Sequence, residues 1–140
     1  MLPVTMNPAP AQRRRLAAAA RRAARAAYAP YSKFRVGAAV LAGSGKIYAG
    51  GNVENASSGL TICAERAAVF KAVAEGERQI TAVVVYTPTR KPTQPCGACR
   101  QVLHEFGPRA VILCICNSRE RIETTLDQLL PGAFGPKNLR

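Results

Sequence analysis

Acids, histidine and tryptophan are scarce in this chain, and long apolar runs are missing. Its 140 residues hold eight acids against twenty lysines and arginines, one histidine and no tryptophan, for a formal charge of +12. No apolar run approaches the ~20 residues of a membrane span. Met1 to Pro10 is short and proline-rich, not secretory in pattern. Six arginines stand between Arg13 and Arg25, and no acid interrupts the run up to Arg35. Such a stretch has some look of a transit peptide, but it leads without a linker into the rest of the domain. A charge of this size can signal nucleic acid. The few aromatic residues are not interleaved with the basic ones, however, so no base-stacking platform is visible and nucleic acid is not an expected partner. Repeats are absent, and the Ala/Arg stretch is the one low-complexity segment.

Five cysteines are present, an odd number. Cys114 and Cys116 alternate within Val111-Ile-Leu-Cys-Ile-Cys116 and read as small buried hydrophobes on one strand face. The other three are Cys63, Cys96 and Cys99. A metal pattern among them requires reduced thiols, which argues against a disulfide framework and for the cytoplasm.

The length suits one domain, 11–136, after a disordered lead, 1–10, and before a short tail, 137–140. Strong helix formers from Ala11 to Tyr28 predict a helix ending before Pro30. Its apolar side is mostly alanine, which suits close packing. Val36–Leu41 and Lys46–Asn52 read as a hairpin around Gly43-Ser-Gly45. Cys63 to Glu75 should be a helix, capped by Thr61 or Ser58 and ending near Gly76. Ile80–Tyr86 is fully apolar and β-branched, the pattern of a central strand. A polar loop, Thr87–Gln94, leads into a helix from Cys96 to Phe106. Ala110–Cys116 is another buried strand. The link 117–120 is too short for a helical crossover, so Arg121–Thr124 should return antiparallel. Residues 126–130 form a short helix. This order predicts a three-layer α/β/α sandwich with a mixed five-stranded sheet.

Cys63-Ala-Glu65 is followed thirty residues later by Pro95-Cys96-Gly-Ala-Cys99. Three thiols at this spacing can hold one zinc ion, and a carboxylate two residues from the first can sit beside the metal without binding it. Both segments fall at predicted helix starts, where free N–H groups and a partial positive charge favour thiolates. Cys96 and Cys99, three apart, meet on one side of a first helical turn. Cys96-x-x-Cys99 alone could be a redox dithiol or half a structural zinc knuckle. A structural site needs a fourth ligand, and only Cys114, Cys116 and His104 remain as soft candidates. The two cysteines sit mid-strand, and His104 reads as an ordinary helix residue. Three thiolates around a divalent ion leave one negative charge in excess. Arg66, adjacent to Glu65, can offset it by donating hydrogen bonds to sulfur.

Asn52-Val-Glu54-Asn55-Ala56, Cys63-Ala-Glu65-Arg66, Pro95-Cys-Gly-Ala-Cys-Arg-Gln-Val102 and Leu129-Leu-Pro-Gly-Ala-Phe134 stand in this order. Together they resemble the small zinc-dependent cytidine deaminases, from about Tyr28 to Phe134. The pattern is the one that marks zinc nucleoside and nucleobase deaminases. The resemblance implies a hydrolase of C–N bonds in cyclic amidines that turns free cytidine or 2′-deoxycytidine into the uridine and ammonia, in pyrimidine salvage. It implies one zinc per chain on Cys63, Cys96 and Cys99. Glu65 would shuttle protons from water to N3 of the base and then to the leaving amine. Arg66 would support the ligands. Asn52 and Glu54, two apart on a strand, would hold the ribose, chiefly its 3′ hydroxyl. Phe34 and Ala64 would border the pyrimidine. Phe134 would stack on the base in a neighbouring subunit of a homotetramer.

One departure stands out. Ser58 occupies a place where these deaminases often carry tyrosine, a pocket residue between subunits. This keeps open a modified cytidine or another small amino-heterocycle, of the blasticidin type, as substrate. A polynucleotide deaminase is a weaker alternative, because the short 117–120 link opposes the parallel last strands of such relatives. A zinc-stabilised binding module without activity would tolerate loss of Glu65.

Overall fold

The computed structural model describes residues 7–140. Most of the expected N-terminal lead, residues 1–6, lies outside the described residues. The first helix, α1, spans Pro10–Arg25, with proline in its first turn, where no amide hydrogen is needed. Strands β1 (Gly37–Ala42) and β2 (Ile47–Gly51) form the hairpin. A short 3-10 turn, Ser58–Leu60, precedes α2 (Ala64–Ala74). Then come β3 (Ile80–Tyr86), α3 (Gly97–Phe106), β4 (Val111–Ile115), β5 (Ile122–Thr125) and α4 (Leu126–Leu129). A last 3-10 turn covers Pro136–Leu139.

The five strands make one sheet in the order β2-β1-β3-β4-β5. The pair β3–β4 is parallel, with Val83 opposite Ile112, and the others are antiparallel. The parallel pair needs a crossover, and α3 supplies it. The brief link before β5 allows only a return, as the sequence demanded. Alternation along the strands feeds two cores. Ala38, Val40, Val83, Val85, Ile112 and Cys114 face α2 and α3, with Ala68, Val69, Ala72 and Leu103. Ala39, Leu41, Ala82, Val84, Val111 and Leu113 face α1, with Leu16, Ala19 and Ala20. The sheet is therefore covered on both faces, which makes the three layers.

Small residues set the spacing of these layers. A Cβ on Gly37 would lie 1.8 Å from the Ala20 carbonyl oxygen of α1, and one on Gly50 2.8 Å from the Ala68 nitrogen of α2. The hairpin is thus held between two helices at backbone contact. The alanine face of α1 is what permits this. At the far end of α2, Gly76 takes a φ of +97°, and the amides of Gly76 and Glu77 close onto Val73 and Ala72. That left-handed residue ends the helix as expected.

The start of α2 differs from expectation. Cys63 is the capping residue, and no side chain caps the helix. The Thr61 hydroxyl instead accepts from the Asn55 amide at 3.2 Å, and Ser58 opens the 3-10 turn.

Candidate active site

The N-termini of α2 and α3 converge at the edge of one cavity. Cys63 and Cys96 are the residues immediately preceding the two helices, and Cys99 lies in the first turn of α3. Their sulfurs are 3.8 Å (Cys63–Cys96) and 3.5 Å (Cys96–Cys99) apart, and all three lie within 4.8 Å of one another. Zinc–sulfur bonds of about 2.3 Å in a tetrahedron place sulfurs roughly 3.8 Å apart. The residues present therefore fit zinc, and a fourth position is left for water or substrate. Neither Cys114, Cys116 nor His104 belongs to this cluster. Cys114 is buried between the layers, where burial pushes its thiol up to about 12. The Cys116 sulfur lies beside the carbonyls of Arg90 and Glu120.

The charge on the cluster has named partners. Cys63 is pushed down to about 5, first by the Cys99 thiol that donates to it and then by Arg66. Cys99 is pushed the other way, upward, first by the same hydrogen bond with Cys63 and then by burial. A bound cation displaces the remaining protons. Arg66 Nη2 donates to the Cys63 sulfur at 3.4 Å, one turn back along α2. Its Nε is buried without a hydrogen-bond partner among the described residues.

Glu65 is 5% exposed. Burial, joined by the negative charge of Cys63, pushes its carboxyl up to about 7. It lines a cavity of about 180 Å³ together with Cys63, Ala64, Cys96, Phe34, Val36 and Asn52. Val85, Thr87, Thr61, Thr93 and Gln94 complete the wall. Nothing in the sequence marks these five as site residues, because they come from a strand end and loops with no chemical motif. Thr87 is fully buried, and its hydroxyl pairs with that of Thr89 at 2.7 Å.

Phe34 is placed by a small network. Asn52 accepts from the Val36 amide at 2.8 Å and donates to the Phe34 carbonyl at 2.9 Å. Glu54 accepts from the Tyr31 amide at 2.9 Å and from the Ser32 hydroxyl. That hydroxyl, first among the causes, holds the Glu54 carboxyl below its usual range. Lys33 between them has a φ of 62°, rare for a residue with a side chain. Asn52 lies just past the end of β2 and is buried, whereas Glu54 is outside the cavity lining. Asn52, on the cavity wall, and Glu54, outside it, thus both brace the segment 31–36.

Phe134 does not line this cavity and is 58% exposed, its carbonyl held by Gln101 Nε2 at 2.9 Å. Arg100 ties three carbonyl oxygens together: those of Pro95, Leu129 and the Gln94 side chain. It is a brace for the loop before Cys96. Ser58 is exposed and likewise outside the lining.

Comparison with known proteins agrees with this arrangement. The sequence model of the family described as the cytidine and deoxycytidylate deaminase zinc-binding region matches residues 10–115. The cytidine deaminase of Halalkalibacterium halodurans is 49% identical over 114 residues, 81% of this chain and 86% of that protein. That of Sporosarcina psychrophila is 48% identical over 126 residues, 89% of this chain and 93% of that protein. The crystal structure of cytidine deaminase from Burkholderia pseudomallei superimposes with a TM-score of 0.83 at 46% identity. It covers 86% of this chain and 98% of that one.

Proposed function

The chain belongs to the cytidine and deoxycytidylate deaminase family, and from that premise we propose that it hydrolyses free cytidine and 2′-deoxycytidine to uridine and 2′-deoxyuridine, releasing ammonia. The observation that carries this reading is a buried carboxyl, Glu65, beside three converging thiols in one cavity. Cys63, Cys96 and Cys99 would hold one zinc ion, which when bound supplies Lewis-acid activation of water near neutral pH.

The remaining chemistry falls to the chain's own groups. A carboxyl near neutrality is suited both to accept and to donate a proton. Glu65 takes a proton from water and passes it to N3 of the base, which makes C4 electrophilic. The hydroxide oxygen adds to C4, and the C4–N bond breaks. Glu65 passes the second proton to the departing amine, so ammonia leaves and the base keeps a carbonyl. Phe34 and Ala64 border the ring. Asn52 and Glu54 hold the sugar hydroxyls while keeping the 31–36 segment in place. Arg66 steadies the Cys63 thiolate.

The cavity of one chain is small beside the roughly 300–1,000 Å³ of typical small-molecule sites, at about 180 Å³. Phe134 is exposed and does not line the Glu65 cavity. Both facts support an assembly in which a neighbouring copy completes the pocket, a homotetramer by the resemblance. No helix of the described residues is long and apolar enough to cross a membrane. A zinc site on three thiolates needs reduced cysteines, which supports a cytoplasmic setting.

Ultraviolet spectroscopy of zinc-loaded protein with cytidine and with deoxycytidine, beside Glu65→Ala, tests the function. The cytidine band should fall steadily, and the variant should show no fall. Zinc-loaded, folded protein inert on both nucleosides would shift the assignment to another amino-heterocycle, with Ser58 as the reason.

A further inference from the structure

A second cavity, of about 310 Å³, lies where the end of α1 meets the end of β3. It is lined by Arg21, Ala24, Arg25, Arg35, Tyr86 and Pro88. Three of these six are arginines and none is an acid. Phe34 and Val36 line the first cavity, and Arg35, between them in sequence, lines the second. The two cavities share no lining residue.

Two of the three guanidinium groups are tethered. Arg21 lies over the Tyr86 ring, 4.6 Å from its centre, and its Nη2 donates to the Cys116 carbonyl at 3.3 Å. The Tyr86 hydroxyl is itself fixed on Asn117 Oδ1 at 2.6 Å. Across the cavity, Arg35 Nη1 donates to the Arg25 carbonyl at 3.3 Å. Each such bond uses one of five N–H groups, which leaves most of every fork open. None of the three has a carboxylate partner among the described residues. The one ion pair among the described residues is Arg13–Glu123, at 3.0 Å.

We propose that this cavity binds the phosphate group of a small ligand, either inorganic phosphate or a phosphorylated metabolite of nucleotide size. Guanidinium forks match phosphate in a two-bond geometry, and held forks lose little freedom on binding. Unneutralised positive charges concentrated in one concavity favour an anion. A structural role at the helix end explains part of the arrangement, since cations there oppose the exposed carbonyls. It accounts for Arg35 on the Arg25 carbonyl. It does not account for Arg21, stacked and bonded elsewhere yet lining the same hollow.

The test is isothermal titration calorimetry of the zinc-loaded full chain with inorganic phosphate at constant ionic strength, balanced with chloride. A parallel arm uses adenosine 5′-monophosphate. Saturable one-site binding should appear with phosphate. Tighter binding of the mononucleotide assigns the cavity to a phosphorylated nucleoside, and equal binding assigns it to the anion alone. The paired change Arg21→Gln and Arg35→Gln should weaken binding about tenfold or more. Arg25→Gln, whose side chain has no hydrogen-bond partner among the described residues, should weaken it without risk to the fold. The pair Arg14→Gln and Arg15→Gln, on the exposed side of α1, removes the same charge and should leave it intact. Absence of saturable binding would overturn the proposal. So would equal losses in the two double variants, or binding of an RNA strand with a steep salt dependence and none of phosphate.

Discussion

The guanidinium of Arg66 reaches back one turn of α2 to the sulfur of Cys63, 3.4 Å away. That contact pairs the most basic kind of side chain with a thiol that hydrogen bonds from Cys99 and Arg66 push down to about 5. The contact also places the arginine's charge where three thiolates would otherwise leave an excess. It is made at a helix N-terminus, where the backbone adds a partial positive charge of its own.

Removing this contact should leave the fold and weaken the site. Arg66→Ala is expected to keep the wild-type circular dichroism and to lose about 10- to 100-fold in zinc affinity or turnover. Arg66→Lys restores the charge but not the fork, so it should recover only part of the loss. Competition for zinc with a coloured chelator measures the affinity. Equal zinc affinity and equal rates in all three proteins would show that Arg66 is dispensable.

Glu65 should be separable from the metal. Glu65→Gln is isosteric and leaves all three thiols in place, so zinc content should remain one per chain. Turnover should fall by about 10²- to 10⁴-fold or more, the usual contribution of a positioned proton carrier. Metal analysis beside a steady-state assay of the same preparation separates the two. Near-normal turnover in that variant would remove Glu65 from the mechanism.

Zinc should also act as a structural tie between α2 and α3. The two helices meet at Cys63 and Cys96, thirty-three residues apart in sequence, through sulfurs 3.8 Å apart. A ligand that binds only the folded state stabilises it by mass action. Chelation should therefore lower Tm as well as abolish activity, and added zinc should restore both. A Tm indifferent to chelation would mean the sheet alone holds the helix ends together.

Close packing of α1 on the hairpin makes Gly37 intolerant of a methyl group. Its Cβ would stand 1.8 Å from the Ala20 carbonyl oxygen, a backbone atom that cannot move alone. Gly37→Ala should destabilise by about 3 kcal/mol or more, the upper range for overpacking. Gly97→Ala adds a methyl into open space within a helix and should be neutral or slightly stabilising. Chemical denaturation of both variants decides the comparison, and similar midpoints would contradict the backbone contact.

Acid sensitivity should centre in part on Glu77. Its carboxylate accepts from the Ser44 hydroxyl at 2.6 Å and the Tyr48 hydroxyl at 2.9 Å. Ser44 first, then Tyr48, holds its carboxyl below the ordinary range. A carboxyl lowered in the folded state contributes stability that is present above its unfolded value, about 4.3. That stability is lost as pH falls through the folded value. Relative to Glu77→Gln, the wild-type chain should therefore lose Tm faster between about pH 5 and pH 3. Parallel Tm curves over that range would rule the linkage out.

Much of the fold was legible because local patterns carried it. Ile80–Tyr86 is apolar at nearly every position, and the structure buries it on both faces in the middle of the sheet. The four residues 117–120 forced β5 to run antiparallel to β4. Finer local readings went astray where a distant partner intervened. Thr61 does not cap α2, because the Asn55 amide occupies its hydroxyl. The even spacing of Asn52 and Glu54 implies a common face only while the strand continues, and β2 stops at Gly51. Asn52 then reaches Phe34 and Val36, and Glu54 reaches Tyr31 and Ser32.

By itself the sequence determined which atoms are available: three thiols, one carboxylate two residues from the first, and an arginine beside it. It also placed the thiols at helix starts, since the helix-forming residues that follow Cys63 and Cys96 are a local property. The tertiary structure decided that the two helix ends meet, because α2 and α3 pack on the same face of β1, β3 and β4. It decided that Glu65 loses its water and is pushed toward neutrality, because burial depends on every layer above it. It brought Thr87, Thr93 and Gln94 to the wall and set three arginines around a second hollow. Those outcomes depend on contacts between segments far apart in the chain, and local patterning does not encode such distances.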